Sequence, residues 1–357
     1  MTAVQEVVRK RSMPRPMPRA MVLAATFALA AVVVALFSLS LGTTRLPLEE
    51  VMRALAGGGD SVTQLIVLEL RLPRVATGLL VGMAFAVSGA LLQTLSRNPL
   101  ASPDIVGVNS GASAAAVTVI VLAGSGGGNI SGAAAKVGLP LAAVLGGLLA
   151  TLIVGLLSIQ RGVIDAGRVV LIGVGVAAAA NSLVAWLLVV GDVTDAGRAA
   201  AWLAGSLNAR TWSDAVPVGL ALVVLLPAAM MFNRDLSALV LGDDVAASLG
   251  VRVSRARLLL LVIATVLAAM ATAGAGPIAF VALVAPQIAQ RLARADRPPL
   301  MTTAMLGAVF VTSADLVARN GLQVLRVGPY ELPVGVVTAA AGAPYLLQLI
   351  GRQQKGR

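Results

Sequence analysis

Long apolar stretches dominate the sequence and are separated by short segments rich in Arg, Asp, Gly and Pro. A helix that crosses a bilayer needs about 20 mainly apolar residues. Ten stretches approach that length: residues 20–41, 75–96, 105–123, 138–157, 169–190, 214–232, 258–274, 277–293, 301–318 and 332–350. Weak alternation and the absence of evenly spaced strands of about ten residues argue against a β-barrel. The pattern predicts an all-α, polytopic membrane protein with about ten transmembrane helices.

Composition narrows the class of protein further. Of 357 residues, 58% are hydrophobic and 12% are charged, whereas soluble domains carry about 25% charged residues. The chain has neither cysteine nor histidine. This excludes disulfides, thiolate metal ligands, cysteine nucleophiles and histidine-based catalysis. We therefore predict no resident metal and no cofactor. The net charge of +11 is first interpreted relative to a membrane, not as a sign of nucleic-acid binding.

The distribution of basic residues predicts the orientation. Residues 1–19 carry five of them: Arg9, Lys10, Arg11, Arg15 and Arg19. The apolar run that follows is too long for an ordinary signal peptide, although cleavage is an alternative. With both termini cytoplasmic, 18 of the 27 Lys and Arg residues lie inside, as the positive-inside rule requires. We predict a basic tail over 1–19, a ten-helix membrane domain over 20–351 and a second basic tail over 352–357.

Groups that could supply energy for transport are scarce within the predicted spans. Asp315 is the clearest ionisable residue there, whereas ion-coupled transporters usually need several. The chain also lacks the G-x-x-x-x-G-K-[ST] phosphate-binding loop. We predict that the protein is not an enzyme: this chain does not itself hydrolyse ATP, and the energy source lies elsewhere.

Glycine and proline mark special positions in three spans. Gly78, Gly82 and Gly89 in the second span indicate a close helix–helix contact, with a smooth pore wall as the alternative. Pro286 predicts a kink and removes a helix hydrogen bond, so the carbonyl of Ala282 is expected to be unpaired. Residues 109–111, Asn-Ser-Gly, are expected to interrupt the third span.

The segment 241–257, between the sixth and seventh spans, predicts a short cytoplasmic helix. Asp243 or Asp244 can cap this helix and Gly250 can end it. The remaining apolar residues form a small face, comprising Val245, Ala246 and Leu249. Such a helix lies flat on the membrane or docks in the groove of a partner. The residues alone favour neither.

Several long motifs, in order, resemble permease subunits of the vitamin B12 and iron-siderophore class of ABC importers. They are RLPR…SGALLQ…RNPLASPD…SGA, LGDDVAASLGV, GPIAFVALVAPQIAQR, ADLVAR and ELPVGVVTAAAGAPYLL. Within the class, RNPLASPD, AGSLNARTW and GDDVAASLGV are most similar to ferric-enterobactin permeases. Gln287 departs from the family pattern, which more often has His there, and this argues against a metal role at that position.

The resemblance implies a set of partners and site residues. It implies ten spans, two cytoplasmic ATP-binding subunits, a second permease subunit in a heterodimer or homodimer, and an extracytoplasmic binding protein. It implies ATPase coupling through Gly242, Asp243, Asp244, Val245, Ala246, Leu249 and Gly250. It also implies docking of acidic residues of the binding protein on Arg71, Arg74 and Arg319, which we expect at the outer surface. Ordinary snorkelling or attraction of an anionic ferric siderophore are alternative roles for these arginines.

An inner gate at Asn98, Leu100 and Ala166 is also implied by the resemblance. The alternative is a turn whose Asn and Pro only end a helix. Taken together, the sequence predicts the permease subunit of an ATP-driven importer of iron-siderophore complexes in the cytoplasmic membrane. A cobalamin or haem permease, an ion-coupled secondary transporter and a structural membrane scaffold are the competing functions.

Overall fold

The computed structural model describes residues 18–42, 44–125, 133–160, 163–164, 166–324 and 331–355, and these residues are almost entirely helical. In chain order the first helices are α1 Pro18–Ser40, α2 Leu48–Leu55, α3 Ser61–Gln64, a π-helical segment Leu65–Arg71, α4 Leu72–Ser96, α5 Val108–Ser125 and α6 Ala133–Leu157. A minimal antiparallel pair follows, β1 Ile159–Gln160 and β2 Val163–Ile164.

The remaining helices continue the bundle to the end of the described chain. They are α7 Ala166–Val190, α8 Val193–Leu203, α9 Trp212–Met231, α10 Asn233–Val240, α11 Asp243–Ser248, α12 Val253–Ala275, α13 Val281–Ala293, α14 Leu300–Val324 and α15 Val334–Lys355.

Among the described residues, seven helices are long and apolar enough to cross a membrane: Arg19–Ser40, Ser61–Ser96, Gly138–Leu157, Gly167–Val190, Trp212–Met231, Val253–Ala275 and Leu300–Leu322. The third and tenth predicted spans correspond to shorter apolar helices, Val108–Leu122 and Val334–Gln348. The eighth corresponds to α13, which has 13 residues. The all-helical membrane architecture is thus confirmed. The count of ten spans and the cytoplasmic termini stay predictions.

Helix α4 lies at the centre of the bundle. In the most apolar stretch of its span, 78% of the residues are buried, against 6% in the corresponding stretch of α1. Gly82 meets Gly307 of α14 so closely that an added Cβ would lie 2.3 Å from the Gly307 carbonyl oxygen. The interpretation of these glycines as a helix–helix contact is therefore confirmed at Gly82, because only a hydrogen fits between the two backbones.

A short non-helical segment separates α12 from α13. Gly276 and Phe280 both have positive φ, 77° and 67°, and Pro277 has no N–H to continue a helix. Helix α13 consequently begins at Val281, four residues after the predicted start at residue 277.

The carbonyl that Pro286 frees has a prepared environment on α4. An added Cβ on Gly89 would lie 1.8 Å from the Ala282 oxygen, so glycine makes room for it. One turn later, Gln93 donates from Nε2 to the same oxygen at 3.4 Å and to the Leu283 oxygen at 3.1 Å. The expectation of an unpaired carbonyl is wrong, because the neighbouring helix supplies the donor.

The expected interruption at residues 109–111 is also wrong. Helix α5 runs through them without a break. Asn109 donates to Asp104 at 2.6 Å and accepts from the Thr272 hydroxyl at 2.7 Å, while Gly111 packs on Gly146 of α6. The polar side chain of Asn109 has partners in neighbouring elements and does not compete with the backbone of its own helix.

Candidate functional site

A buried ionic cluster joins α4 to α14 at the predicted outer end of the bundle. Arg74 donates from Nε and Nη2 to Asp315, with a shortest distance of 2.9 Å. Its Nη1 donates to Glu331 at 3.0 Å. Arg319 lies one turn after Asp315 on α14, and its Nε is 3.2 Å from Asp315 Oδ2. Asp315 therefore forms ion pairs with two guanidinium groups at once.

Arg71 and Arg319 also hold the end of α1. Arg71 donates from Nη1 to the Leu39 oxygen at 2.6 Å and to the Ser40 oxygen at 3.2 Å. Arg319 donates to the backbone and hydroxyl oxygens of Ser38. The last carbonyls of a helix have no intrahelical donor and carry partial negative charge. The two cations satisfy both needs, so they act as side-chain caps for α1.

The expected exposure of the three arginines is not found. Arg71, Arg74 and Arg319 are 8%, 9% and 5% exposed, because their donors face groups of the same chain. Their docking role stays a prediction. Glu331 and Ser38 were not predicted as partners of these arginines. The spacing of Asp315 and Arg319, four residues apart on one helix, was the available signal for part of the cluster.

Of the three residues of the predicted inner gate, Leu100 lines a cavity near the opposite end of α4, and Asn98 and Ala166 do not. The Asn98 side-chain oxygen accepts the Leu100 N–H at 2.9 Å, which fixes a tight turn after the helix. Leu100 and Phe280 line a cavity of about 280 Å³. Phe280 combines its positive φ with close packing on Gly342, where an added Cβ would lie 2.4 Å from the Phe280 Cβ. Ala166 begins α7.

The predicted coupling segment contains the short helix α11. It spans Asp243–Ser248, with Gly242 as the N-cap residue at φ 114° and no side-chain cap. The predicted capping by Asp243 or Asp244 is therefore wrong, because both lie inside the helix. The Asp243 carboxylate instead pairs with Arg97 at 3.0 Å and Arg257 at 2.9 Å. These bonds tie α11 to the ends of α4 and α12.

The apolar face of α11 is divided. Val245 and Leu249 are 43% and 64% exposed, whereas Ala246 is fully buried against the bundle. Gly250 has φ 84°, and its N–H bonds to the Ala247 carbonyl at 3.0 Å. The helix thus presents two neighbouring apolar side chains outward and keeps the third for its own packing. Its role in coupling is a prediction.

The architecture defines a polytopic integral membrane protein of the permease class. The sequence profile described as the FecCD transport family matches residues 29–352. The chain belongs to the FecCD transport family.

Known proteins are similar to this chain over most of its length. The ferric enterobactin transport system permease protein FepG of Escherichia coli (strain K12) is 40% identical over 91% of this chain and 94% of its own. The cobalamin import system permease protein BtuC of Halobacterium salinarum is 35% identical over 82% and 75%. A solved metal-chelate type ABC transporter in an inward-facing conformation has a TM-score of 0.78, with 27% identity over 92% of this chain and 98% of its own.

Proposed function

We propose that this chain is the permease subunit of an ATP-driven importer that moves a ferric siderophore across the cytoplasmic membrane. The observation that carries the proposal is the 40% identity to a ferric enterobactin permease over nearly the whole of both chains. Two cytoplasmic ATP-binding subunits, a second permease subunit and an extracytoplasmic binding protein complete the transporter. Ten spans with both termini in the cytoplasm fit this assembly.

The test is transport by the complete complex reconstituted in proteoliposomes. We expect uptake of ⁵⁵Fe-enterobactin that requires ATP on the cytoplasmic side and the binding protein on the other. Uptake of cobalamin or haem in preference to ferric enterobactin would contradict the substrate class. Uptake by the permease alone under an ion gradient would instead identify a secondary transporter.

Helix α11 is the proposed contact for the ATP-binding subunits. The support is its outward pair of apolar side chains, Val245 and Leu249, on a segment held to α4 and α12 by Asp243. Leu249→Asp places a charge on that face. We expect it to weaken copurification of the ATP-binding subunits while the permease keeps its unfolding midpoint. Copurification and transport at wild-type levels would remove α11 from the interface.

Docking of the binding protein is proposed at the surface above the outer arginines. In the structure Arg74 donates to Asp315 and Glu331, and Arg71 and Arg319 donate to oxygens at the end of α1. An acidic partner residue therefore has to compete with internal acceptors. Glu331 is the best candidate for exchange, because its side chain is 32% exposed and that of Asp315 is 3% exposed. Glu331→Gln should tighten docking by freeing one charged donor of Arg74. Unchanged affinity across a salt series would count against docking at Arg74.

A further inference from the structure

A basic cleft lies where several helices end on the predicted cytoplasmic side. Its volume is about 580 Å³. At its inner end Gln287 donates to Gln93 at 2.7 Å, and both amides are at least 93% buried. Its wall includes four arginines and one acidic residue, namely Arg97, Arg291, Arg294, Arg297 and Asp296. Gln93 already donates to two backbone carbonyls and Gln287 to Gln93, so it is the guanidinium groups of the wall that suit the cavity to an anion.

Three of these arginines lack a carboxylate partner within the part of the chain that the structure describes. Arg297 donates only to neutral acceptors, Ser237 Oγ at 3.0 Å and the Asn233 side-chain oxygen at 3.0 Å. Burial without a counter-ion lowers the pKa of Arg297. Arg291 lies over the Tyr345 ring, with 5.5 Å from its guanidinium carbon to the ring centre. Arg294 extends from the C-terminal end of α13 and is exposed.

The positions of the surrounding helix ends place the cleft at the membrane interface. Arg97 directly follows the span Ser61–Ser96, and Arg297 lies three residues before the span Leu300–Leu322. The first span begins at Arg19, which donates to the Leu292 carbonyl beside the cleft. Leu292 is 43% exposed. Apolar side chains and arginines thus meet at one level, as they do where lipid headgroups contact a protein.

We propose that this cleft binds the phosphate of an anionic phospholipid headgroup. Arginine matches phosphate oxygens with paired N–H donors, and basic pockets between transmembrane helices on the cytoplasmic side are a recognised setting for anionic headgroups. The small volume favours one headgroup over an extended acidic segment of another protein. The proposal does not depend on which compound the transporter carries.

The test compares lipid retention by the full-length protein. Purified protein is incorporated into nanodiscs of phosphatidylcholine with a small fraction of phosphatidylglycerol, extracted, and analysed for bound lipid by native mass spectrometry. We expect selective retention of phosphatidylglycerol by the wild type. Arg291→Gln with Arg294→Gln should weaken that selectivity on the order of tenfold, since each arginine near a charged membrane contributes to the attraction.

The matched control is Arg252→Gln with Arg255→Gln. It removes the same charge from exposed arginines on the same face but outside the cleft, and it should retain phosphatidylglycerol like the wild type. Equal losses in both double variants would reduce the effect to net charge and overturn the proposal. So would displacement by millimolar inorganic phosphate, which would identify a free-anion site. Loss of retention when the ATP-binding subunits are added would assign the cleft to them.

Discussion

Arginines at the two ends of the bundle differ in what balances their charge. At the predicted outer end, Arg74 and Arg319 share Asp315, and all three are under 10% exposed. At the predicted cytoplasmic end, Arg291 and Arg294 surround a cleft without a carboxylate partner among the described residues. The outer cations are part of the packing, whereas the inner ones keep donors available. Position relative to a span therefore does not by itself tell a structural arginine from a binding one.

The largest expected effect comes from removing the shared outer carboxylate. Asp315→Ala leaves Arg74 and Arg319 buried without their main counter-ion, and breaking a buried pair in this way costs about 3–5 kcal/mol. The measurement is denaturant unfolding followed by fluorescence of the three tryptophans. Glu331→Gln is the control, because Asp315 stays in place and the loss should be much smaller. Equal losses would mean that Asp315 does not hold the cluster together.

An intermediate effect is expected at the cap of α1. Arg71→Ala removes the donor to the Leu39 carbonyl, while the Ser40 carbonyl keeps the Leu46 N–H. Leaving one such group unsatisfied costs about 1–3 kcal/mol. Hydrogen exchange should report faster opening of the last turn of α1. Arg71→Lys retains the charge but not the fork of donors, so it should fall between wild type and alanine. Unchanged protection in the alanine variant would rule out the capping role.

The smallest effect sharpens the contrast at the other end. Arg291→Gln with Arg294→Gln should change the free energy of unfolding by no more than about 0.5 kcal/mol, as is usual for surface positions without buried partners. The same unfolding assay applies. A loss as large as that of Arg71→Ala would show that the inner arginines are also part of the packing, and the two ends would no longer differ.

Hydropathy predicted the fold more completely than it predicted the surroundings of the polar residues. In the part of the chain that the structure describes, the seven helices long enough to span a membrane coincide with predicted apolar runs. Helix α2 and the π-helical segment Leu65–Arg71 were not predicted, because Glu49, Glu50, Arg53 and Glu69 interrupt the apolar pattern there. The close-contact role of Gly82 was predictable from its spacing, but its partner Gly307 was not.

The outer arginines show why site geometry could not be predicted. Arg74 and Asp315 are 241 residues apart in sequence, and no local pattern indicates that two such distant residues meet. An arginine without a local partner in the sequence was therefore predicted to be exposed. In the structure it is buried with a partner from another helix. The contact between Asp315 and Arg319 was predictable from their spacing, since residues four apart share a helix face. The short helix α11 was predictable for the same reason: its signals are local.

The bonds that hold α1 also set an order of events during biosynthesis. Ser38 is made 281 residues before Arg319, and Ala20 282 residues before Thr302, which donates to its carbonyl. At translation rates of about 5–20 residues per second, α1 waits roughly 15–60 s for these partners. Until then, the Ser38 carbonyl lacks its Arg319 donor and depends on water or lipid headgroups for a hydrogen bond. Helix α1, the first of the described helices, is thus among the last to reach its final place.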